Sequence, residues 1–203
     1  MNQTKLRLSA KEMELIKNSD WILTKNDIIR KTILLLEKLQ EKQQYYLTTT
    51  AIHFPKEVVE GSPKISKGEN YKGLPYLVLD YPRVFEKNNI FAIRTMFWWG
   101  NFFSITLHLS GRYKDQNVKK LSASFSELKK SGFCLCINKE EWEHHFEKTN
   151  YMPLSKFSAA DFKKNIKEKT FVKLAKKYSL HYWRTSTDKL IGDFKKLSDI
   201  LQY

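Results

Sequence analysis

Two adjacent aromatic and β-branched segments constrain the fold of this chain more than any other feature. Residues 90–99 and 102–109 are both strongly apolar and are separated only by Gly100-Asn101. A Gly-Asn pair between two such segments is typical of a β-hairpin with a two-residue type II′ turn. The sequence therefore predicts an antiparallel hairpin in the middle of the chain.

The length of the turn fixes which side chains of the hairpin share a face. A two-residue turn pairs Trp98 with Phe103, and Arg94 then lies on a face that is otherwise apolar. His108 lies on the opposite face, together with hydroxyl side chains. Because neither face is properly polar, we expect both to be covered by helices, by further strands or by a ligand.

The segments on either side of the hairpin predict an α+β fold. Ser9 and Glu12 form a capping box that begins a short helix, and a weaker version at Thr24 begins a longer one. Apolar positions at helical spacing from Thr187 onward predict a C-terminal amphipathic helix. We expect one domain over residues 1–203, with an antiparallel sheet of about four strands built on the hairpin and packed with the N- and C-terminal helices.

Further elements are expected after the hairpin. The pattern predicts a helix over 117–131 ended by a glycine, a short buried strand over 133–137 and a short helix over 140–148. A lysine-rich helix, interrupted near Thr170, is expected over 159–178.

Arg94 is the most informative candidate for function, because a buried guanidinium needs an anionic partner. One hypothesis is a non-enzymatic binding module in which Arg94 binds the acidic group of a small or peptidic ligand. The alternatives are that Arg94 pairs with a structural carboxylate, such as Asp80 or Glu86, or lies at the open end of its strand. The candidate ligand-binding residues are Arg94, Trp98, Asp80, Arg83 and His108.

The sequence leaves open whether the chain is an enzyme, and its catalytic residues are unknown. Asp80 and His108 could act as acid and base in a hydrolase, although a histidine near Ser and Thr is also typical of a hydrogen-bonded sheet residue. The glycine-rich phosphate-binding motifs and the nucleophile-elbow motif are absent. Their absence weighs against the common nucleotide-using enzymes.

The net charge of +14 raises an alternative function. Such a charge attracts polyanions, but it consists of 30 Lys and 6 Arg, and Lys supplies a hydrated point charge rather than planar recognition. Sequence-nonspecific nucleic-acid binding would use the lysines of the predicted helical face, namely Lys163, Lys167, Lys173 and Lys177. The other interpretation is the solvated side of a helix in a lysine-rich protein.

We expect no metal and no cofactor. Glu141 and His144 form a single E-x-x-H pattern where a di-metal site needs two, and Cys134 and Cys136 have no second pair at zinc spacing. Two thiols without a disulfide framework, no signal-peptide-like start and no apolar segment of about 20 residues favour a cytoplasmic protein without a transmembrane segment. The oligomeric state is left open.

Overall fold

A computed structural model describes residues 6–50 and 54–202 of the chain. Residues 1–5, where a signal peptide would begin, lie outside the described residues. The strands are β1 (Lys64–Tyr71), β2 (Leu74–Phe85), β3 (Ile90–Trp98), β4 (Phe102–Ser110), β5 (Cys134–Cys136), β6 (Tyr151–Pro153) and β7 (Phe171–Ser179). The α-helices are α1 (Ala10–Lys17), α2 (Ser19–Thr49), α3 (Lys56–Val59), α4 (Gly111–Ala123), α5 (Phe125–Lys130), α6 (Ala159–Glu168) and α7 (Ser186–Leu201).

The strands form one antiparallel sheet in the order β1-β2-β3-β4-β7-β5-β6. The expected α+β class is confirmed, but within residues 6–50 and 54–202 the sheet has seven strands rather than about four. Helices α2, α4 and α7 pack on one face, where they form the largest apolar core with the strands. Two helices, α4 and α5, occupy the region of the single helix expected over 117–131, and β5 lies in the strand expected over 133–137.

The predicted helix ends are confirmed in part. The capping box of Ser9 and Glu12 begins α1. Helix α2 begins at Ser19, so the predicted start at Thr24 is wrong. The reason is that the Asn18 side chain accepts a main-chain N–H at 3.4 Å and caps the helix earlier. None of the helices within the described ranges is both long enough and apolar enough to cross a membrane.

The hairpin forms, but its predicted register is wrong by one residue. Trp98 pairs with Phe102, which leaves a three-residue turn in place of the expected two residues. The main-chain N–H of Trp99 donates to the carbonyl oxygen of Pro75 on β2, at 3.0 Å, and so takes no part in the hairpin ladder. A shift of one residue moves every side chain of one strand to the other face. Arg94 therefore shares its face with His108.

The predicted lysine-rich helix over 159–178 is correct only as far as Glu168. The rest of that segment is β7, a strand between β4 and β5. Val172 and Leu174 lie on the face that packs against the helices, whereas Lys173 lies on the opposite face. The spacing of lysine and apolar residues in this segment is compatible with a helix or a strand. The segment is a strand because it pairs with β4 on one side and with β5 on the other.

Alanine substitution at two glycines tests the backbone geometry of this fold. Gly111 begins α4 with φ +53°, and a Cβ there would lie 2.2 Å from the carbonyl oxygen of Asn88. We expect Gly111→Ala to lower the free energy of unfolding by about 2 kcal/mol or more.

Gly192 lies in α7 with no atom within 4 Å of such a Cβ, so Gly192→Ala should raise the free energy of unfolding by about 0.5–1 kcal/mol. Urea unfolding measures both, and equal effects would contradict the geometry at Gly111.

Candidate functional site

The face of the sheet that the helices leave free is covered by residues 138–150, which we call the covering segment. This segment contains no helix and no strand, so the helix predicted over 140–148 is wrong. Its main chain is bonded to side chains of the sheet, as the following contacts show.

Lys173 on β7 holds the covering segment. Its ammonium group donates to the carbonyl oxygens of Glu141 and Glu143, each at 2.7 Å. Lys173 is only 1% exposed, and burial lowers its pKa to about 8. Since a buried charge is costly unless it is hydrogen-bonded, these carbonyl oxygens are the partners that Lys173 requires. This lysine is therefore not on a surface where nucleic acid could bind.

Tyr71 holds the same segment from β1. Its hydroxyl oxygen accepts the main-chain N–H groups of His144 and His145, at 2.7 and 3.0 Å. The same hydroxyl donates to the carboxylate of Glu143, at 2.8 Å. Tyr71 on an edge strand and Lys173 on β7, an inner strand, thus both attach the covering segment to the sheet.

His108 on β4 also bonds to the covering segment, through Nε2 at 3.0 Å from the Glu141 carboxylate. Burial lowers the pKa of His108 to about 3, with smaller effects from the charges of Lys173 and Arg94. His108 is therefore a neutral, hydrogen-bonded residue of the sheet. Asp80, its partner in the hydrolase hypothesis, bonds to Arg94 instead.

Arg94 on β3 forms a bidentate pair with Asp80, which lies directly opposite on β2. Nε and Nη2 donate to the two carboxylate oxygens, at 2.7 and 3.0 Å. The structural-carboxylate alternative is therefore confirmed for Asp80. Nη1 lies 3.3 Å from Nε2 of His144, and because arginine can only donate, the imidazole nitrogen is the acceptor. Burial, then the charges of Lys173 and Arg94, lower the pKa of His144 to about 2.

A cavity of about 340 Å³, the Arg94 cavity, opens beside this pair. Arg94 is 15% exposed there, and its guanidinium carbon lies 6.0 Å from the centre of the Trp142 ring. Its walls include the rings of Tyr71, Tyr76 and Trp142, and the polar groups of Asp80, Arg94 and His144 there are bonded to one another. The residues that line the cavity are Ser66, Tyr71, Tyr76, Val78, Asp80, Arg94, Trp142 and His144.

Two of the five predicted ligand-binding residues, Arg94 and Asp80, line this cavity. Trp98 is buried and does not line the cavity, and its indole N–H donates to the Tyr71 carbonyl oxygen at 3.2 Å. Arg83 donates to the Ser62 carbonyl oxygen at 2.8 Å and does not line the cavity, and neither does His108.

Sequence reasoning missed the cavity-forming roles of Tyr71, Trp142 and His144. Trp142 and His144 lie in the covering segment, which has no regular structure and therefore no periodic signal. The wrong hairpin register also separated Arg94 from the polar residues of its true face.

The four lysines of the nucleic-acid alternative do not share a helical face. Lys163 and Lys167 are exposed on α6, whereas Lys173 and Lys177 lie on β7. Lys177 is exposed and Lys173 is buried. The predicted face is wrong because the chain changes from helix to strand between the two pairs.

Both cysteines are free, and burial raises the pKa of the Cys134 and Cys136 thiols. Glu141 of the E-x-x-H pattern bonds to His108 rather than acting with His144. In the described part of the chain, no three or more His, Cys, Asp or Glu side chains are grouped so that they could hold a metal ion.

Comparison with known proteins gives no match: no family model, no curated protein and no solved structure is significantly similar to the chain. Its function is therefore inferred from the geometry of its own residues.

The lowered pKa values of His108 and His144 make stability depend on pH. In the unfolded chain His144 takes up a proton below about pH 6.5, whereas in the folded chain it stays neutral, so folding free energy is lost as the pH falls. Replacement with glutamine keeps an acceptor for Arg94 but removes the titration. We expect His144→Gln to flatten the fall in unfolding free energy between pH 6 and 4 by about 1 kcal/mol per pH unit.

Urea unfolding at several pH values measures this slope. The matched control is His181→Gln, because His181 is exposed in the 3₁₀ turn before α7. An unchanged slope in His144→Gln would contradict the neutral state of this histidine in the folded chain.

Proposed function

We propose that this chain is a non-enzymatic binding module for a small or peptidic acidic ligand, whose carboxylate binds in the Arg94 cavity. The proposal rests on the N–H groups of the Arg94 guanidinium that remain available to a ligand. It has five N–H groups, of which two donate to Asp80 and one donates to His144. One N–H on each terminal nitrogen is left without a partner among the described residues.

The guanidinium of Arg94 is pre-organised to bind a carboxylate. Asp80 and His144 fix its orientation, so little side-chain entropy is lost when a ligand binds. Planar N–H groups that remain free favour oxygen acceptors, and a carboxylate makes the strongest such bonds.

The local charge supports an acidic ligand. The charge of Arg94 is balanced by Asp80, but Lys173 adds a second buried positive charge near His144, where both cations disfavour protonation of the ring. The positive potential that these two cations produce at His144 attracts an added anion.

The walls of the cavity favour a ligand with an apolar or aromatic body. Tyr71, Tyr76 and Trp142 surround the polar group with ring surfaces. A few converging polar groups in an aromatic-lined cavity of this size are typical of small-ligand sites. An arylalkanoate, or a peptide that ends in an aromatic residue, has this combination of carboxylate and ring.

Binding without catalysis is favoured by the state of the two histidines. General acid–base catalysis works best when the pKa of the catalytic group is near the working pH. With pKa values of about 3 and about 2, His108 and His144 stay neutral near pH 7 and are engaged with Glu141 and Arg94.

A larger cavity of about 690 Å³ beside α4 is a weaker candidate. Its walls carry both signs of charge, with Lys87 and Lys139 beside Asp115 and Glu140. The buried ammonium group of Lys114 there already donates to main-chain carbonyl oxygens, including that of Lys169 at 2.6 Å.

The proposal is tested by titrating the chain with phenylacetate and with phenylacetamide, the matched neutral ligand, by NMR. We expect phenylacetate to shift the resonances of Trp142 and Tyr71, and phenylacetamide to bind at least tenfold more weakly. Arg94→Lys keeps a positive charge for Asp80 but loses the planar donors, so it should weaken phenylacetate binding tenfold or more.

The control is Arg83→Lys, which changes a nearby arginine that does not line the cavity. It should leave the affinity unchanged. Equal affinity for the acid and the amide, or full affinity in Arg94→Lys, would refute the proposal.

A further inference from the structure

The N-terminal helices expose an unusual amount of apolar surface. Helix α1 has no buried residue at all. Among residues 6–34, nine large apolar side chains are more than a third exposed, namely Leu6, Leu8, Met13, Leu15, Ile16, Trp21, Ile22, Leu23 and Leu34. Soluble monomers rarely expose an apolar patch above a few hundred Å².

These side chains lie on more than one face of the two helices. Trp21, Ile22 and Leu23 are consecutive in α2, and successive helical residues point about 100° apart. Leu23 and Leu34 are the members of the set that lie on the side of α2 opposite its buried residues. Helix α1 buries no residue in its own chain, and a helix of eight residues gains little stability from its own hydrogen bonds in water.

The exposed face of α2 has a symmetrical pattern. Leu23, Asp27, Arg30 and Leu34 are separated by four, three and four residues, so they lie on one face of the helix. Leu23 is 60% exposed and Leu34 is 50% exposed. Asp27 and Arg30 are also exposed, and their side chains pair at 3.0 Å.

We propose that this face binds a second copy of the chain, with the two α2 helices antiparallel about a twofold axis between residues 28 and 29. The symmetry places Leu23 opposite Leu34 of the second copy, and Asp27 opposite its Arg30. Each apolar residue then meets an apolar residue and each charge meets its opposite. A twofold interface requires this self-complementarity.

The charge of the N-terminal region permits such an association. Residues 10–34 carry five basic and four acidic side chains, a net +1 of the +14 of the whole chain. Two copies can therefore approach through α2 with little of the repulsion that the rest of the surface would cause.

Charge reversal tests both the association and its symmetry. Sedimentation velocity of the unmodified chain at micromolar concentration should show a dimer. Asp27→Arg places like charges opposite each other in both halves of the interface, and so does Arg30→Asp, so each should weaken the dimer tenfold or more. The double variant Asp27→Arg/Arg30→Asp restores opposite charges and should recover the dimer.

Mixing the two single variants gives the sharpest result. In a mixed pair every position 27 faces an opposite charge at position 30, so the two weak self-associators should form a stable heterodimer. Circular dichroism checks that each variant is folded. Lys56→Glu and Glu60→Lys reverse another exposed ion pair, between Lys56 of α3 and the residue directly after that helix, and should leave the dimer unchanged.

A chain that remains monomeric at micromolar concentration overturns the proposal. So does a dimer that neither single reversal weakens. If the double variant and the mixture stay as weak as the single variants, the antiparallel twofold pairing is wrong.

Discussion

The arrangement of this protein depends on one buried ammonium group. Lys173 lies in the interior of the sheet, and its charge is tolerated there only because two carbonyl oxygens of the covering segment accept its protons. One of these oxygens, on Glu141, would accept the N–H of His145 if the segment were helical. That N–H donates to Tyr71 instead. The sheet side chains thus take up the donors and acceptors that a helical turn would use, and the segment has no regular structure for this reason.

The covering segment forms part of the proposed binding site. The covering segment brings His144 to Arg94 and places Trp142 over one wall of the cavity. Asp80 neutralises the guanidinium and fixes its plane, while Lys173 supplies a further positive charge. Asp80 and His144 hold the guanidinium in one orientation, and a donor that is already fixed loses little entropy when a ligand binds. The N-terminal helices, by contrast, leave large apolar side chains exposed.

The sequence predicted the local features and missed those that depend on distant contacts. The capping box at Ser9 and the apolar hairpin are local signals, and both are present. The register failed because the Trp99 N–H bonds to β2, a contact that no turn motif reveals. The segment of β7 was predicted as a helix because its lysines and apolar residues fit the spacing of a helix as well as that of a strand. Its pairing with β4 and β5 determines that it is a strand. The Arg94 pair with Asp80 was foreseen as an alternative because a buried charge must be paired, whereas the role of His144 lay in a segment without periodicity.

Amide hydrogen exchange in Lys173→Met tests the central claim most directly. Methionine keeps the length and burial of the side chain but cannot donate to the two carbonyl oxygens. We expect the N–H groups of His144 and His145 to be protected in the unmodified chain and to exchange tenfold or more faster in the variant, while β3 and β4 stay protected. Unchanged protection of the covering segment in Lys173→Met would contradict the account, because the segment would then be held by other contacts.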